Sequence, residues 1–445
     1  MHPPADLAAL YRDHVAGLRA AYTAVLAATG WDAVVLYSGT PRLRSQFDDQ
    51  FWPLRPLPHL QHWLPLAETD CALVIQPEAQ PVLHRLSHRS YWEAPAPLEA
   101  PHVWPEFDVR PLAEVADLAG RLPRGRVAVI AEEPAQLRLG RLAAAAHNPP
   151  ALLAGLDALR VHKSAYEVAC LAAANRRAAL GHEALRAAFS AGEASEFSLH
   201  LAFLQATAQD DAETPYKNIV ATGSNAATLH HIAYGRTAKR SDSLLVDAGA
   251  TCFGYAADVT RTWWRGGGAD SDAFGALVAG VEDLQQGLCA EVAIGMPFED
   301  LHDRAHERLT QLLCELGLLR CSPAEAMAAQ LSRTFLPHGL GHSLGLQCHD
   351  VGCALVPPKA HNPWLRNTSV IAEGQVFTIE PGVYFIPLLL EALRAGPQAH
   401  RVDWKLVAAL QPFGGVRIED DLWVQAAGVR NLTREVLPRG GGRLG

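Results

Sequence analysis

The 445-residue sequence contains no Cys-x-x-Cys pair, no long basic run, no unbroken apolar stretch of membrane-spanning length and no internal repeat. Each absence excludes something. The eight cysteines are scattered from Cys71 to Cys353, which reads as reduced core thiols rather than a disulfide framework or a zinc knuckle. Lys+Arg 38 against Asp+Glu 47 leaves a net charge of −9, so neither a nucleic acid nor an anionic membrane surface is expected as a main partner. Proline or charge interrupts every apolar run, and no transmembrane helix is expected. The first residues carry Asp6, Arg12 and Asp13 and lack a signal-peptide pattern. These readings predict a cytoplasmic globular protein. A composition of 49% apolar and 19% charged residues supports a sizeable core, and at roughly 150 residues per domain the length suggests two or three domains.

The order of segments predicts an α/β or α+β chain. Ala5–Ala28 has helical apolar spacing, while Ala33–Ser38, Cys71–Gln76, Pro81–Ser87 and Arg126–Glu132 read as short strands. Between them, Gln46–Leu66 is rich in proline and aromatics and reads as a long ordered loop. Near Asn148–His162 the chain changes character, and Ser164 with Glu167 forms a capping-box signature for a helix over Ser164–Ala191. Further helices are expected over Asp272–Val292 and Phe298–Gly317. This divides the chain into an N-terminal domain, 1–158, a larger domain, 159–438, and a glycine-rich flexible tail, 439–445.

The residues that carry chemistry follow position 210. Ser243–Ala250 is an apolar strand bearing Asp247, and Gly254–Trp264 a strand-like run bearing Asp258, with Thr251–Gly254 as the turn between them. An acid within an apolar strand is costly to bury unless it is paired or metal-bound, and two acids across a hairpin can face one pocket. Phe335–Asp350 (FLPHGLGHSLGLQCHD) places His338, His342 and His349 among glycines. Gly339 and Gly341 rule out the helical zinc-protease motif and indicate close approach to another backbone. Glu380 in VFTIEPG and Glu419 in GGVRIEDDLW sit in further apolar strands, with Asp420 and Asp421 read as strand-end surface charges. Four carboxylates and an imidazole suit two divalent ions, Mn²⁺ first and Co²⁺ or Zn²⁺ next. Two ions bridged about 3.5–4 Å apart activate a water between them as a hydroxide nucleophile, which describes a dinuclear hydrolase.

With these residues the chain resembles the pita-bread metallopeptidases, which include methionine aminopeptidases, aminopeptidase P and prolidases. The resemblance spans roughly Pro215–Gln425 and rests on DAG, ADVTRT, HGLGH, TIEPG and RIED. It implies a pita-bread catalytic domain after a smaller creatinase-like α/β domain, with Asp247, Asp258, His342, Glu380 and Glu419 as metal ligands. Asp247 would chelate one ion, His342 and Glu380 the other, and Asp258 and Glu419 would bridge. Within the family the sequence is most similar to bacterial Xaa-Pro dipeptidases. Tyr216 and His230 in PYKNIVATGSNAATLHH match that subgroup, as do Arg366, fourteen residues before Glu380, and the long interval from Glu380 to Glu419. The loop 45–66 is similar to one that caps the partner subunit's site, which implies a homodimer.

The resemblance implies hydrolysis of Xaa-Pro dipeptides, with Glu380 as general base and His349 donating to the oxyanion or orienting a ligand. His230, His338, Arg366 and Arg417 would form a cationic end for the prolyl carboxylate, though Arg417 could instead pair with Glu419 or Asp421. Tyr216 would contact the N-terminal residue or pack in the core. Asp49, less readily Asp48, would hold the substrate ammonium across the dimer. Charges fixed at both ends of a closed pocket would reject longer peptides. Incidental organophosphorus triester hydrolysis is also implied. The rival expectations are an aminopeptidase P acting on Xaa-Pro oligopeptides and a metal-free peptide-binding module or creatinase-like hydrolase on the same fold.

Overall fold

The computed structural model describes residues 6–86, 100–132 and 146–444. The ends of three expected segments, at Ala5, Ser87 and Gly445, lie outside the described residues. The chain folds as two compact units, Met1–Ala169 and Cys170–Gly445.

In the first unit, Leu7–Thr29 is a helix that buries Leu7, Tyr11, His14, Val15, Leu18, Tyr22 and Leu26 along one face. Gly30 stops it in the left-handed conformation at φ 72°. The strands are β1 (Ala33–Tyr37), β2 (Ala72–Ile75), β3 (Val82–Leu86), β4 (Asp108–Leu112) and β5 (Val127–Ile130), in sheet order β4-β3-β2-β1-β5. β1 pairs antiparallel with β2 and parallel with β5. The aromatic loop divides by burial. Leu57, Leu60, Trp63 and Leu64 are buried, and Tyr11 donates to the Trp63 carbonyl at 2.6 Å. Phe47, Phe51 and Trp52 are exposed.

In the second unit, β6 (Ile219–Thr222), β7 (Ser243–Asp247) and β10 (Thr260–Trp264) form an antiparallel sheet. Between β7 and β10, β8 (Thr251–Cys252) and β9 (Tyr255–Ala256) make a small hairpin. Its two turn residues, Phe253 and Gly254, both have positive φ, at 50° and 87°, the geometry that matches the twist of a two-residue hairpin. β11 (Val376–Ile379), β14 (Asp420–Gln425) and β15 (Gly428–Asn431) form a second sheet, and β12 (Gly382–Tyr384) pairs with β13 (Gly415–Arg417). The helices Ala269–Glu291 and Phe298–Glu315 contribute Phe274, Leu277, Val281, Leu301 and Leu309 to the large apolar core.

Two expectations are corrected here. The glycine-rich end is not a frayed tail, because β16 (Gly441–Arg443) pairs parallel with β10. Glycine serves that pairing: a Cβ at Gly441 would fall 2.2 Å from the Thr262 carbonyl oxygen. Asp420 and Asp421 are not surface charges either. Both are fully buried, because β14 is the central strand of its sheet and is covered on both faces. Asp420 pairs with Arg261 at 2.9 Å and Arg434 at 2.6 Å, while Asp421 accepts from Asn175 at 2.8 Å.

Among the described residues no helix is long and apolar enough to cross a membrane.

Candidate metal centre

Each acid sits where a strand is interrupted. Asp247 is the last residue of β7 and faces Thr260 and Ile219 across the sheet. Asp258 lies in the short link between β9 and β10 rather than within a strand. Glu380 directly follows β11, where Pro381 ends the strand, and Glu419 lies between β13 and β14. Of the four acids expected within strands, only Asp247 is inside one. The sheet therefore fixes the backbone while the break frees each carboxylate to turn inward.

His342 arrives by a different route. Residues 340–344 run alongside β11: the Thr378 and Glu380 amides donate to the His342 and Leu340 carbonyls at 2.9 and 2.8 Å, and the Leu344 amide donates to Val376 at 3.0 Å. A Cβ at Gly341 would lie 1.9 Å from the Thr378 carbonyl oxygen. Only glycine allows the histidine strand this close.

The side chains converge on a cavity of about 770 Å³ lined by Asp247, Asp258, His342, Glu380 and Glu419. His342 Nε2 lies 3.4 Å from Asp258 Oδ2, 3.8 Å from Glu380 Oε1 and 3.9 Å from Glu419 Oε1. Its other nitrogen faces the Ser343 carbonyl at 3.1 Å, which fixes the tautomer that offers Nε2 to a cation. Burial alone would push the Asp258 carboxyl up, but His342 and the hydrogen bonds from Cys348 and Tyr216 outweigh it and hold it at about 2. Burial likewise lowers His342, and Asp258 and Glu380 overcome it, raising the imidazole to about 9. Burial and neighbouring carboxylates push Glu380 up to about 7, and Glu419 and Asp247 upward as well.

These groups are short of positive charge. Among the described residues the four carboxylates meet a single arginine, Arg417, and Asp247 Oδ1 is buried without a hydrogen-bond partner. An unpaired buried carboxylate oxygen costs on the order of several kcal/mol unless a cation completes it. Oxygen-rich donors with one imidazole, converging at 3.4–3.9 Å, fit divalent metal ions.

Comparison with known proteins decides the family. Residues 169–426 match the model of metallopeptidase family M24, and residues 9–157 match the N-terminal domain of Xaa-Pro dipeptidases. The chain belongs to metallopeptidase family M24. An Xaa-Pro dipeptidase from Marinobacter nauticus is 40% identical over 441 residues, covering 97% of this chain and 99% of that protein. One from Pseudoalteromonas atlantica is 37% identical over 443 residues, with the same coverage. Among solved structures, an aminopeptidase of Pseudomonas aeruginosa aligns with a TM-score of 0.73 at 24% identity, covering 95% of both chains. An Escherichia coli aminopeptidase P with the inhibitor Pro-Leu aligns at 0.68 and 22%, covering 94% and 95%. At such identities the structures speak to the fold, which is the pita-bread fold of M24, preceded in sequence by a mixed α/β domain.

Around the M24 centre the other expected residues separate. His230, His338, His349, Arg366 and Tyr216 line the same cavity. Tyr216 donates to Asp258 Oδ1 at 2.6 Å, so it buttresses a carboxylate rather than packing as an inert core tyrosine. Arg417 does pair, but with neither Glu419 nor Asp421: its Nη2 meets Asp247 Oδ2 at 2.6 Å, and its Nη1 donates to the Tyr384 hydroxyl at 2.9 Å. His338 does not supply a cation. Its Nδ1 faces the Gly339 carbonyl and its Nε2 the Tyr384 hydroxyl, both at 2.8 Å, and burial with Arg417 nearby lowers it to about 3. The ring of His349 stands edge-on to His342 at 4.4 Å between centroids, and burial with His342 and Arg366 lowers it to about 4. Asp49 lies in the other unit on an exposed segment, where it accepts from the Gln50 side chain at 3.1 Å. Asp48 accepts from the Gln50 amide.

Three contributors escape sequence reasoning. Tyr384 links Arg417 to His338. Asp421, in the layer behind the site, accepts from the Asp258 amide at 3.2 Å. Cys348 donates to Asp258 Oδ2 at 2.9 Å. The signal for Cys348 was its position directly before His349 in the glycine–histidine segment.

Proposed function

We propose that this protein is a metal-dependent dipeptidase that hydrolyses Xaa-Pro dipeptides, releasing proline. The observation that carries the reading is the convergence of Asp247, Asp258, His342, Glu380 and Glu419 on one cavity with a carboxylate oxygen left unpartnered, in a chain 36–40% identical along nearly its whole length to Xaa-Pro dipeptidases. Asp247 would hold one ion, His342 and Glu380 the other, with Asp258 and Glu419 shared. When bound, two such ions polarise the scissile carbonyl and lower the pKa of a water held between them.

The remaining work falls to the chain's own residues. Glu380 accepts the proton of the attacking water; the upward push it feels from other carboxylates reverses once cations enter. His349, neutral rather than cationic, donates an N–H towards the developing oxyanion. Arg366 and His230, on the cavity wall, receive the prolyl carboxylate, and a planar guanidinium suits that group. Arg417 and His338 act one step back, holding Asp247 and the Tyr384 hydroxyl in place. Asp49 is assigned to the substrate ammonium, reached from a partner subunit; the exposed Phe47, Phe51 and Trp52 of its loop support a dimer surface. We further assign the domains as 1–158 and 159–438, with Gly441–Arg443 joined to the second through its pairing with β10. The oxygen-rich donor set favours Mn²⁺ over Co²⁺ and Zn²⁺. Among the described residues no disulfide joins any of the eight cysteines, and their scatter without a Cys-x-x-Cys pair supports a reducing, cytoplasmic setting. Phosphotriester hydrolysis is a side activity of the same centre.

The test is hydrolysis of an Xaa-Pro dipeptide and the matching Xaa-Pro-Xaa tripeptide by chelated protein, with and without Mn²⁺. Metal-dependent cleavage of the dipeptide alone is expected. Cleavage mainly of the tripeptide would make the protein an aminopeptidase P and remove the role given to Arg366. No cleavage with any divalent ion would defeat the peptidase reading.

A further inference from the structure

We infer that Glu196 is a positioning residue for substrate binding: its carboxylate ties down the segment 222–235, so that His230 is presented to the prolyl carboxylate. The inference rests on the dipeptidase reading above, which gives His230 its role.

Little regular structure holds this segment. β6 ends at Thr222, a short 3₁₀ turn covers Gly223–Ala227, and residues 228–238 belong to no helix or strand. Three of its side chains, Leu229, His230 and Ile232, nevertheless form part of the cavity wall. A segment without a hydrogen-bonded ladder opens locally unless other contacts tie it down. Glu196, the first residue of the helix Glu196–Thr207, supplies them. Its Oε1 accepts from the Thr222 amide at 2.9 Å, the Thr222 hydroxyl at 3.1 Å and the Asn225 side chain at 2.7 Å. Its Oε2 accepts from the His231 imidazole and the Gly235 amide, both at 2.8 Å. The Phe197 amide donates to the Gly235 carbonyl at 3.1 Å, so the first turn of the helix grips Gly235 through both of its backbone groups. His231 reaches Glu196, while its neighbours His230 and Ile232 line the cavity.

The carboxylate is saturated. Two carboxylate oxygens offer about four acceptor directions, and five donors meet them here. No acceptor capacity is left for a substrate or an ion, so Glu196 holds the segment and does not bind ligand itself. Burial would push its carboxyl up, but the hydrogen bonds from Asn225, Gly235, His231 and Thr222 outweigh it and hold it at about 2. The anchor is therefore charged at neutral pH, which strengthens each of its hydrogen bonds. The competing account is that Glu196 stabilises the fold and has no bearing on where His230 sits.

The experiment is a double-mutant cycle of E196Q and H230A in the full chain with Mn²⁺, read as kcat and KM for an Xaa-Pro dipeptide. E196Q keeps the shape but turns one acceptor oxygen into an NH₂ group facing further donors. It should raise KM about tenfold or more, with kcat changed less, and should have no further effect on KM once His230 is absent. Equal rises in KM with and without His230 would overturn the inference, as would an unchanged KM in E196Q; both leave the dipeptidase reading standing. An unsubstituted chain that cleaves no Xaa-Pro dipeptide with any divalent ion would overturn that reading and the inference with it. Where H230A is too slow for KM to be measured, the Kd of proline by calorimetry gives the same four-way comparison. Should E196Q fail to fold, N225A, which removes one donor, must raise KM when His230 is present and not when it is absent. An unchanged KM in both backgrounds would sink the proposal.

Discussion

Arg417 and Asp247, 170 residues apart, meet with Nη2 2.6 Å from Oδ2, and the pair is buried on the wall of the metal cavity. The arginine therefore offsets one carboxylate before any ion arrives. Removing it leaves Asp247 as an uncompensated buried charge beside three other acids, a loss of about 3–5 kcal/mol by analogy with broken buried ion pairs. An Arg417→Met variant should lose that stability when chelated. It should regain much of it when Mn²⁺ is added, because a cation replaces the missing charge and binds only the native state. Chemical denaturation with and without metal measures both effects. An equal loss in both conditions would mean that Arg417 matters for packing rather than for charge.

Tyr216 acts on Asp258 as Arg417 acts on Asp247. Its hydroxyl donates at 2.6 Å to the oxygen opposite the one nearest His342. Groups that orient metal-binding side chains typically change affinity or activity about 10–100-fold when removed. Tyr216→Phe should weaken Mn²⁺ binding by that order, seen by calorimetry, with little change in metal-free stability. A variant that binds metal normally but loses only dipeptide affinity would return Tyr216 to the substrate-contact role.

Much of this centre was legible because catalysis constrains local pattern. Packing alone seldom places an acid inside an apolar run or wedges a histidine between glycines, and Asp247, Asp258, His342, Glu380 and Glu419 all carry that mark. The hairpin turn at Thr251–Gly254 and the Ser164–Glu167 cap were legible for the same reason, since both are local chemistry; Ser164 and Glu167 do exchange backbone-to-side-chain bonds, at 2.8 and 3.3 Å. Long-range pairings were not. Asp420 looks like a surface charge until Arg261 and Arg434 arrive from 159 and 14 residues away. The Asp247 partner of Arg417 is likewise set by β7 and β13 meeting in space. The tail Gly441–Arg443 carries no strand signal of its own and becomes a strand because β10 has an open edge.

Acid should destabilise the fold through a buried histidine outside the candidate ligand set. His302 is buried on the helix Phe298–Glu315, its Nδ1 has no hydrogen-bond partner, and burial with Arg333 nearby lowers it to about 4. The unfolded chain binds this proton near pH 6.5 and the folded one only near 4. Stability is therefore unaffected above pH 6.5 and falls as pH drops from there towards 4, where the unfolded state binds more protons. His302→Gln should flatten that pH dependence by an amount on the order of 1–3 kcal/mol, measured as the difference in urea unfolding at pH 7 and pH 4.5. Parallel pH profiles for the two proteins would show that His302 charges without cost.

The neighbouring acids Asp420 and Asp421 should answer the same substitution in opposite ways. Asp420 is held low by Arg261 and Arg434 despite complete burial, so it is a carboxylate locked between two guanidinium groups. Asp420→Asn leaves Arg261, itself wholly buried, without its anion and should cost about 3–5 kcal/mol. Asp421 has no cation beside it among the described residues, and burial and Asp258 push its carboxyl well above the usual range. That upward push favours the protonated form, which accepts through Oδ2 from Asn175 and the Asp258 amide. An asparagine reproduces that neutral shape and its acceptor oxygen, so Asp421→Asn should change stability by less than about 1 kcal/mol. Urea unfolding of the two single variants is decisive. Comparable large losses would mean that Asp421 is ionised and that its negative charge reaches the centre through the Asp258 backbone; comparable small losses would mean that the Arg261–Asp420 pair contributes little beyond its own desolvation.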